Sequence, residues 1–313
     1  MPTAYYSHPA CRTHDMGPGH PESPQRLDAI ADHLIATGLG LALTHREAPR
    51  ATEEQLARAH TQGHVAQLRG FMEQVERLGE RRRVDSDTVA GPGSWAAALH
   101  AAGAAVAATD AVIDGSFENA FCAVRPPGHH ATRGQAMGFC FFNNVCVAAR
   151  HALDVRGLAR VAIIDFDVHH GNGTEDIVAG DPRILMLGFF QHPLYPGSGL
   201  VPLGDNVHNF PVPAYTKGPE IRAEIDKQWL PRLEAFKPEM IFLSAGFDAH
   251  RDDELGQLGL VEADYAWITR RMKTVAERHA KGRIVSCLEG GYNLGALARS
   301  VAAHLRVLAG VAG

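Results

Sequence analysis

The chain alternates between short apolar runs and longer amphipathic stretches, and this alternation predicts most of its elements. Val161-Ala-Ile-Ile-Asp-Phe-Asp167 is the clearest case. Apolar in nearly every position and too short for a stable helix, it reads as a strand buried on both faces of a parallel sheet. Comparable runs predict strands at 3–7, 120–124, 183–189, 239–245 and 283–288. Helices are predicted at 24–37, 94–114, 143–155, 174–180, 218–236, 261–280 and 294–309. Two more are expected within 52–79, opened by Thr52-Glu-Glu and Thr61-Gln-Gly-His. A glycine- and proline-rich loop from His14 to Pro24 and a polar loop over 85–93 separate these pieces. Repeated strand-then-helix order predicts an α/β protein, three layers (αβα) around a central, mostly parallel sheet. No break in composition and no internal repeat divides residues 1–313, so one domain is expected.

Composition adds exclusions. Of 313 residues, 45% are hydrophobic and 21% charged, an ordinary globular balance with material for a large core. A formal charge of -5 gives no footprint for nucleic acid or an anionic membrane, and Arg81-Arg-Arg83 reads as a solvated loop. The alanine-rich stretch 96–108, broken by His100 and Gly103, reads as a packed helix, and no run of eighteen apolar residues or signal peptide is recognised. Five scattered cysteines (11, 122, 140, 146, 287), without a CxxC pair, point to reduced thiols and a cytoplasmic setting.

The candidate chemistry gathers at two strand ends. Asp165 and Asp167 fall at period two, so both carboxylates lean to one side of their strand, and His169 follows just beyond it. Asp-x-His at a strand tip is a metal-ligand spacing, and Met240-Ile-Phe-Leu-Ser-Ala-Gly-Phe-Asp248 offers a third ligand in Asp248. Taken singly, such residues are most often caps or turns. Together they predict one divalent ion on Asp167, His169 and Asp248 with a position open for water, as in a catalytic site. Zn2+ suits this set, and Fe2+ is compatible with it.

Five motifs, in order, carry a resemblance. Arg125-Pro-Pro-Gly-His-His-Ala131, Gly138-Phe-Cys-Phe-Phe-Asn-Asn144, Asp165-Phe-Asp-Val-His-His-Gly-Asn-Gly-Thr174, Ser244-Ala-Gly-Phe-Asp248 and Glu289-Gly-Gly-Tyr292 resemble the signatures of the zinc-dependent histone deacetylase superfamily, closest to its class II branch and bacterial homologues. The resemblance implies an arginase/deacetylase-type fold and hydrolysis of acetyl or other small acyl amides of lysine-like amines. It pairs His129 with Asp165 and His130 with Asn172. A carboxylate partner favours an imidazolium and an amide does not, so His130 is expected to act as general base and His129 as electrostatic stabiliser. Tyr292, freed by the preceding glycines, is expected to donate to the oxyanion.

By the same resemblance Gly138, Phe139 and Tyr195 line a narrow substrate tunnel, Asp87 and Leu255 sit at its rim, and Arg26 lies beside a product-exit cavity. For Arg26, pairing with Glu22 is the competing reading. A structural K+ beside Asp165 is implied, but Gly188 stands where the family has serine, so an altered ion site is expected. Two other hydrolases and one non-enzyme compete with this reading. An acetylpolyamine deacetylase needs a mouth acid, for which Asp252, Asp253 and Glu254 are candidates. An arginase-like two-metal enzyme needs more carboxylates, and Gly171 supplies none. A catalytically silent binding protein is the third. Homo-oligomers are compatible with all of these.

Overall fold

The computed structural model describes residues 2–311. Eight strands form one sheet in the order β2-β1-β5-β10-β9-β6-β7-β8, and every neighbouring pair is parallel. They are β1 (Thr3–Ser7), β2 (Leu43–Glu47), β5 (Asn119–Cys122), β6 (Val161–Asp165), β7 (Ile184–Gln191), β8 (Val207–Val212), β9 (Met240–Ala245) and β10 (Ile284–Leu288). A separate antiparallel pair, β3 (Arg82–Arg83) and β4 (Val89–Ala90), grips the polar loop expected over 85–93.

The helices are α1 (Gln25–Ala36), α2 (Glu53–Leu56), α3 (Gln62–Leu78), α4 (Ser94–Ile113), α5 (Asn144–Asp154), α6 (Asn172–Val178), α7 (Gly218–Glu224), α8 (Leu230–Phe236), α9 (Glu262–His279) and α10 (Leu294–Leu308). Helices α4 and α5 pack together, while α10 packs on both α1 and α9; β5 touches α4 and α10, so the two groups cover opposite faces. Covered on both faces, the inner strands β5, β6, β7, β9 and β10 are buried throughout, which is why their sequences are unbroken apolar runs.

Three expectations need correction. The edge strands β2 and β8 have no counterpart among the predicted strands. In β2 only Leu43 is buried, and β8 carries His208, Asn209 and Pro211; a proline without an N–H is tolerated at an edge. The helix expected over 218–236 is interrupted by a π-turn at Ile225–Trp229, just before Pro231 removes a backbone donor. Elsewhere the start signals hold: Thr52 and Gln55 form a capping box, and the Thr61 hydroxyl accepts the His64 N–H at 3.1 Å. Helix α4 is apolar and long enough to span a membrane by composition, but 72% of its apolar window is buried inside the protein. All five cysteines are buried and unpaired.

Candidate active site

Strands β6, β9 and β10 are adjacent in the sheet, so their carboxyl ends deliver Asp167, Asp248 and Tyr292 to one place. That place is where open parallel sheets bind ligands. Asp167 Oδ1 lies 3.0 Å from His169 Nδ1, and Asp248 Oδ2 lies 3.2 Å from the same nitrogen. The three ligand atoms are all within 4.8 Å of one another. Backbone donors fix the carboxylates: Val168 N–H donates to Asp248 Oδ1 at 3.0 Å, and Gly290 N–H to Asp167 Oδ2 at 2.8 Å. Gly290 has to be glycine, since a Cβ there would stand 1.9 Å from Asp248 Oδ2.

Asp248 Oδ2 is buried and makes no well-aligned hydrogen bond; among the described residues the one charged group it meets is His169 Nδ1, 3.2 Å away. A buried carboxylate oxygen so weakly satisfied is costly unless a cation faces it. Burial, with the Asp167 charge behind it, pushes Asp248 up to about 7. Burial opposes ionisation of Asp167 as well, but His129 and His169 outweigh it and hold Asp167 well below the usual range. The two carboxylates in turn lift His169 to about 10 against its burial. A proton on this imidazole stands in for a cation, and the two-carboxylate, one-imidazole set fits Zn2+ or Fe2+.

Behind these residues lie two buried histidines. His129 Nδ1 is 3.0 Å from Asp165 Oδ2, and His130 Nδ1 is 2.8 Å from Asn172 Oδ1. Their rings are 4.0 Å apart. Burial disfavours the charge on both, yet Asp167 and Asp165 raise His129 well above the ordinary histidine value. Burial, His129 and His169 drive His130 well below it. One ring is thus held as an imidazolium and its neighbour neutral. Gly138 (φ 57°) packs on His130 so closely that a Cβ would lie 2.4 Å from Cδ2 of the ring.

Tyr292 is half-buried, its ring edge-on to Phe139 at 6.0 Å and under the Arg26 guanidinium at 5.0 Å. Burial first, then the Asp248 charge, push its phenol well above the normal value, so it stays a hydrogen-bond donor. Tyr195 stands edge-on to His130 at 5.2 Å and to His169 at 6.2 Å.

Comparison with known proteins identifies the family. A model of the "Histone deacetylase domain" matches residues 20–308. The chain belongs to the histone deacetylase family. It is 35% identical over 315 residues to the "Histone deacetylase-like amidohydrolase" of Pseudomonas aeruginosa, covering 93% of this chain and 82% of that one. To the "Probable deacetylase" of Archaeoglobus fulgidus it is 36% identical over 322 residues, covering 100% and 87%. A stretch of 245 residues, 71% of this chain, is 42% identical to "Type-2 histone deacetylase 2" of Dictyostelium discoideum, of which it spans 14%. The crystal structure of an HDA15 HD domain superposes with a TM-score of 0.91 at 33% identity, over 99% of this chain and 88% of that one. Membership supports deacetylase or amidohydrolase activity and the three-layer deacetylase-type fold.

The remaining residues of this deacetylase-family site fall as follows. Asp87 is half-buried and accepts from Thr88 Oγ1 at 3.0 Å, whose oxygen takes the Phe139 N–H at 3.0 Å; burial and neighbouring Asp85 raise its carboxyl. Leu255 is half-buried, its N–H held by Asp253 Oδ1 at 3.1 Å. Arg26 is fully buried, and both readings of it hold in part: it pairs with Glu22 at 3.2 Å and also donates to the carbonyls of Glu289 and Gly291. A cavity of about 710 Å³ lies nearby, lined by most of the first loop between Arg12 and Gln25 with Tyr292 and Leu294, but Arg26 is not on its wall. Gly188 faces Asp165 in register and offers no side-chain oxygen.

Two competing readings lose support. Asp253 is buried and turned to backbone N–H groups, and Asp252 lies 3.4 Å from Arg299, which leaves exposed Glu254 as the one remaining candidate of the three for a mouth acid. Among the described residues Asp167, His169 and Asp248 are the one group of three or more potential metal ligands, which leaves a second ion without a site.

One residue escaped sequence reasoning. Glu289 is fully buried, accepting the Gly128 and His129 N–H groups at 2.6 and 3.1 Å and the Ser244 hydroxyl at 3.2 Å. Burial lifts it to about 7. The signal was an acid directly after an apolar strand, where a carboxylate has little solvent to face.

Proposed function

We propose that this chain is one catalytic domain that removes acetyl or other small acyl groups from lysine-like amines, using a single Zn2+ on Asp167, His169 and Asp248. The observation that carries this reading is the buried Asp167, His169 and Asp248 cluster, whose Asp248 oxygen makes no well-aligned hydrogen bond, beside a histidine pair split into one charged and one neutral ring. When bound, the ion supplies Lewis-acid polarisation of the amide carbonyl and lowers the pKa of water to roughly 7.

His130, neutral and oriented by Asn172, takes a proton from the attacking water as its oxygen joins the carbonyl carbon. His129, kept charged by Asp165, favours the negative charge that develops beside it. The Tyr292 hydroxyl donates to the carbonyl oxygen, a contribution on the order of a hundredfold or more. As the C–N bond breaks, His130 returns its proton to the leaving amine. Phe139 and Tyr195, set against opposite members of this cluster, suit an extended aliphatic chain, with Asp87 and Leu255 outside them. A K+ beside Asp165 would be held more weakly than with a serine at 188.

The test is turnover of acetyl-lysine peptides and acetylated polyamines by metal-loaded protein. The reading expects the peptides to be preferred, and His130→Ala and Tyr292→Phe to keep one metal per chain while losing most turnover. Full activity in both variants would refute it.

A further inference from the structure

Tyr292 follows Gly290 and Gly291, the latter at φ 120°, so its own segment does not fix its position. Two side chains do. On one side Arg26 Nε donates to the Gly291 carbonyl at 2.7 Å. On the other, Asp253 Oδ2 accepts the N–H of Tyr292 at 2.6 Å and of Asn293 at 3.0 Å. The second oxygen of the same carboxylate accepts the Leu255 N–H at 3.1 Å.

Asp253 is 6% exposed, and no Lys, Arg or His pairs with it among the described residues. Its charge is met by three backbone N–H groups, that of Leu255 in its own loop and those of Tyr292 and Asn293 just before α10, where Asn293 caps the helix by accepting the Ala296 N–H at 3.0 Å. An anion is favoured at a helix N-terminus, and a buried one without a cation depends on every hydrogen bond it accepts. Asparagine cannot replace it, because its amide nitrogen would face an N–H.

We infer that Asp253 is a positioning residue for Tyr292, a buried clamp that sets the phenol in place and ties it to the mouth loop through Leu255. It rests on the reading of Tyr292 as the oxyanion donor. It also links two parts of the site: a displacement at Leu255 strains the carboxylate that holds the tyrosine.

The test is Asp253→Asn, alone and with Tyr292→Phe, in the metal-loaded chain, read by steady-state kinetics, metal content and amide hydrogen exchange. The clamp predicts that the single variant keeps one metal per chain and near-native KM but loses up to about a hundredfold in kcat, the cost of a misplaced catalytic group. In the Tyr292→Phe background the same substitution should cost less than about twofold, since residues acting through one another are not additive. Amides of 290–294 should exchange faster while those of β7 do not. Asp253→Glu, which keeps the carboxylate, should recover part of the loss, and it serves as the test variant if asparagine prevents folding. Full additivity with Tyr292→Phe, or unchanged exchange over 290–294, would overturn the inference. If the wild-type chain hydrolyses no acyl-amine, the proposed activity fails, and the exchange measurement still decides the clamp.

Discussion

His129 and His130 are neighbours in sequence with opposite electrostatics, and their partners explain the difference. A carboxylate 3.0 Å from one ring and a neutral amide oxygen 2.8 Å from the other set which of them holds a proton. Replacing Asn172 with Asp gives His130 a charged partner too. We expect its pKa to rise, the acid limb of the kcat/KM–pH profile to move upward, and activity near pH 7 to fall about tenfold or more; an unmoved limb would count against His130 as the base. A second residue-scale consequence concerns stability. His304 is buried between Thr269 Oγ1 at 2.7 Å and Ser286 Oγ at 3.0 Å, and burial lowers its pKa to about 3. The unfolded chain takes up a proton near pH 6.5 while the folded chain does not, so this residue's stability contribution is present above that pH and declines as pH falls toward 3. His304→Gln should flatten the fall of thermal stability between pH 6.5 and 5 by up to about 1.4 kcal/mol per pH unit, as read from unfolding curves. An unchanged slope would mean His304 protonates in place.

At the scale of elements, the loop between β7 and β8 carries Tyr195 and is pinned to the start of α6. His170 Nδ1 lies 2.8 Å from Ser198 Oγ, Leu203 N–H donates to Glu175 Oε1 at 2.7 Å, and Asn209 donates to Glu175 Oε2 at 3.1 Å. Ser198→Ala removes one of these ties, worth about 1 kcal/mol. On the proposed reading, in which Tyr195 lines the substrate path and takes no part in proton transfer, it should raise KM several-fold with kcat nearly intact; a loss confined to kcat would contradict that. Elements differ in how far their sequences reveal them. Strand β6 was legible because burial on both faces forces an apolar run, and Asp165, Asp167 and His169 stood out against it. Strands β2 and β8 were not, because edge positions let His45, Arg46 or Pro211 occupy a strand. Asp253 was misjudged for a different reason: sequence gives its charge but not its direction, and it faces the Leu255 amide and two amides at the head of α10 rather than the solvent.

Across the whole molecule, sheet order performs the assembly. Residues 81 apart in sequence, Asp167 and Asp248, become neighbours only because β6 and β9 pair in parallel. Strand β10, paired to the other side of β9, brings Gly290 and Tyr292 within reach of both. The site therefore brings buried negative charge together at the centre of the sheet, and a bound cation should be part of the fold's stability. Stripping the metal with a chelator should lower the unfolding temperature, and restoring Zn2+ at about a hundred times its Kd should return about 2.7 kcal/mol. An identical melt with and without the ion would show that these carboxylates are content with protons alone. The central claim is a single ion working with one neutral histidine and one phenol on an acyl-amine. Titrating Zn2+ into the metal-stripped chain while following hydrolysis of an acetyl-lysine peptide tests it most directly. The account predicts a rate that climbs from near zero and levels off at one equivalent per chain; hydrolysis that needs two equivalents, or none at any zinc level, would contradict it.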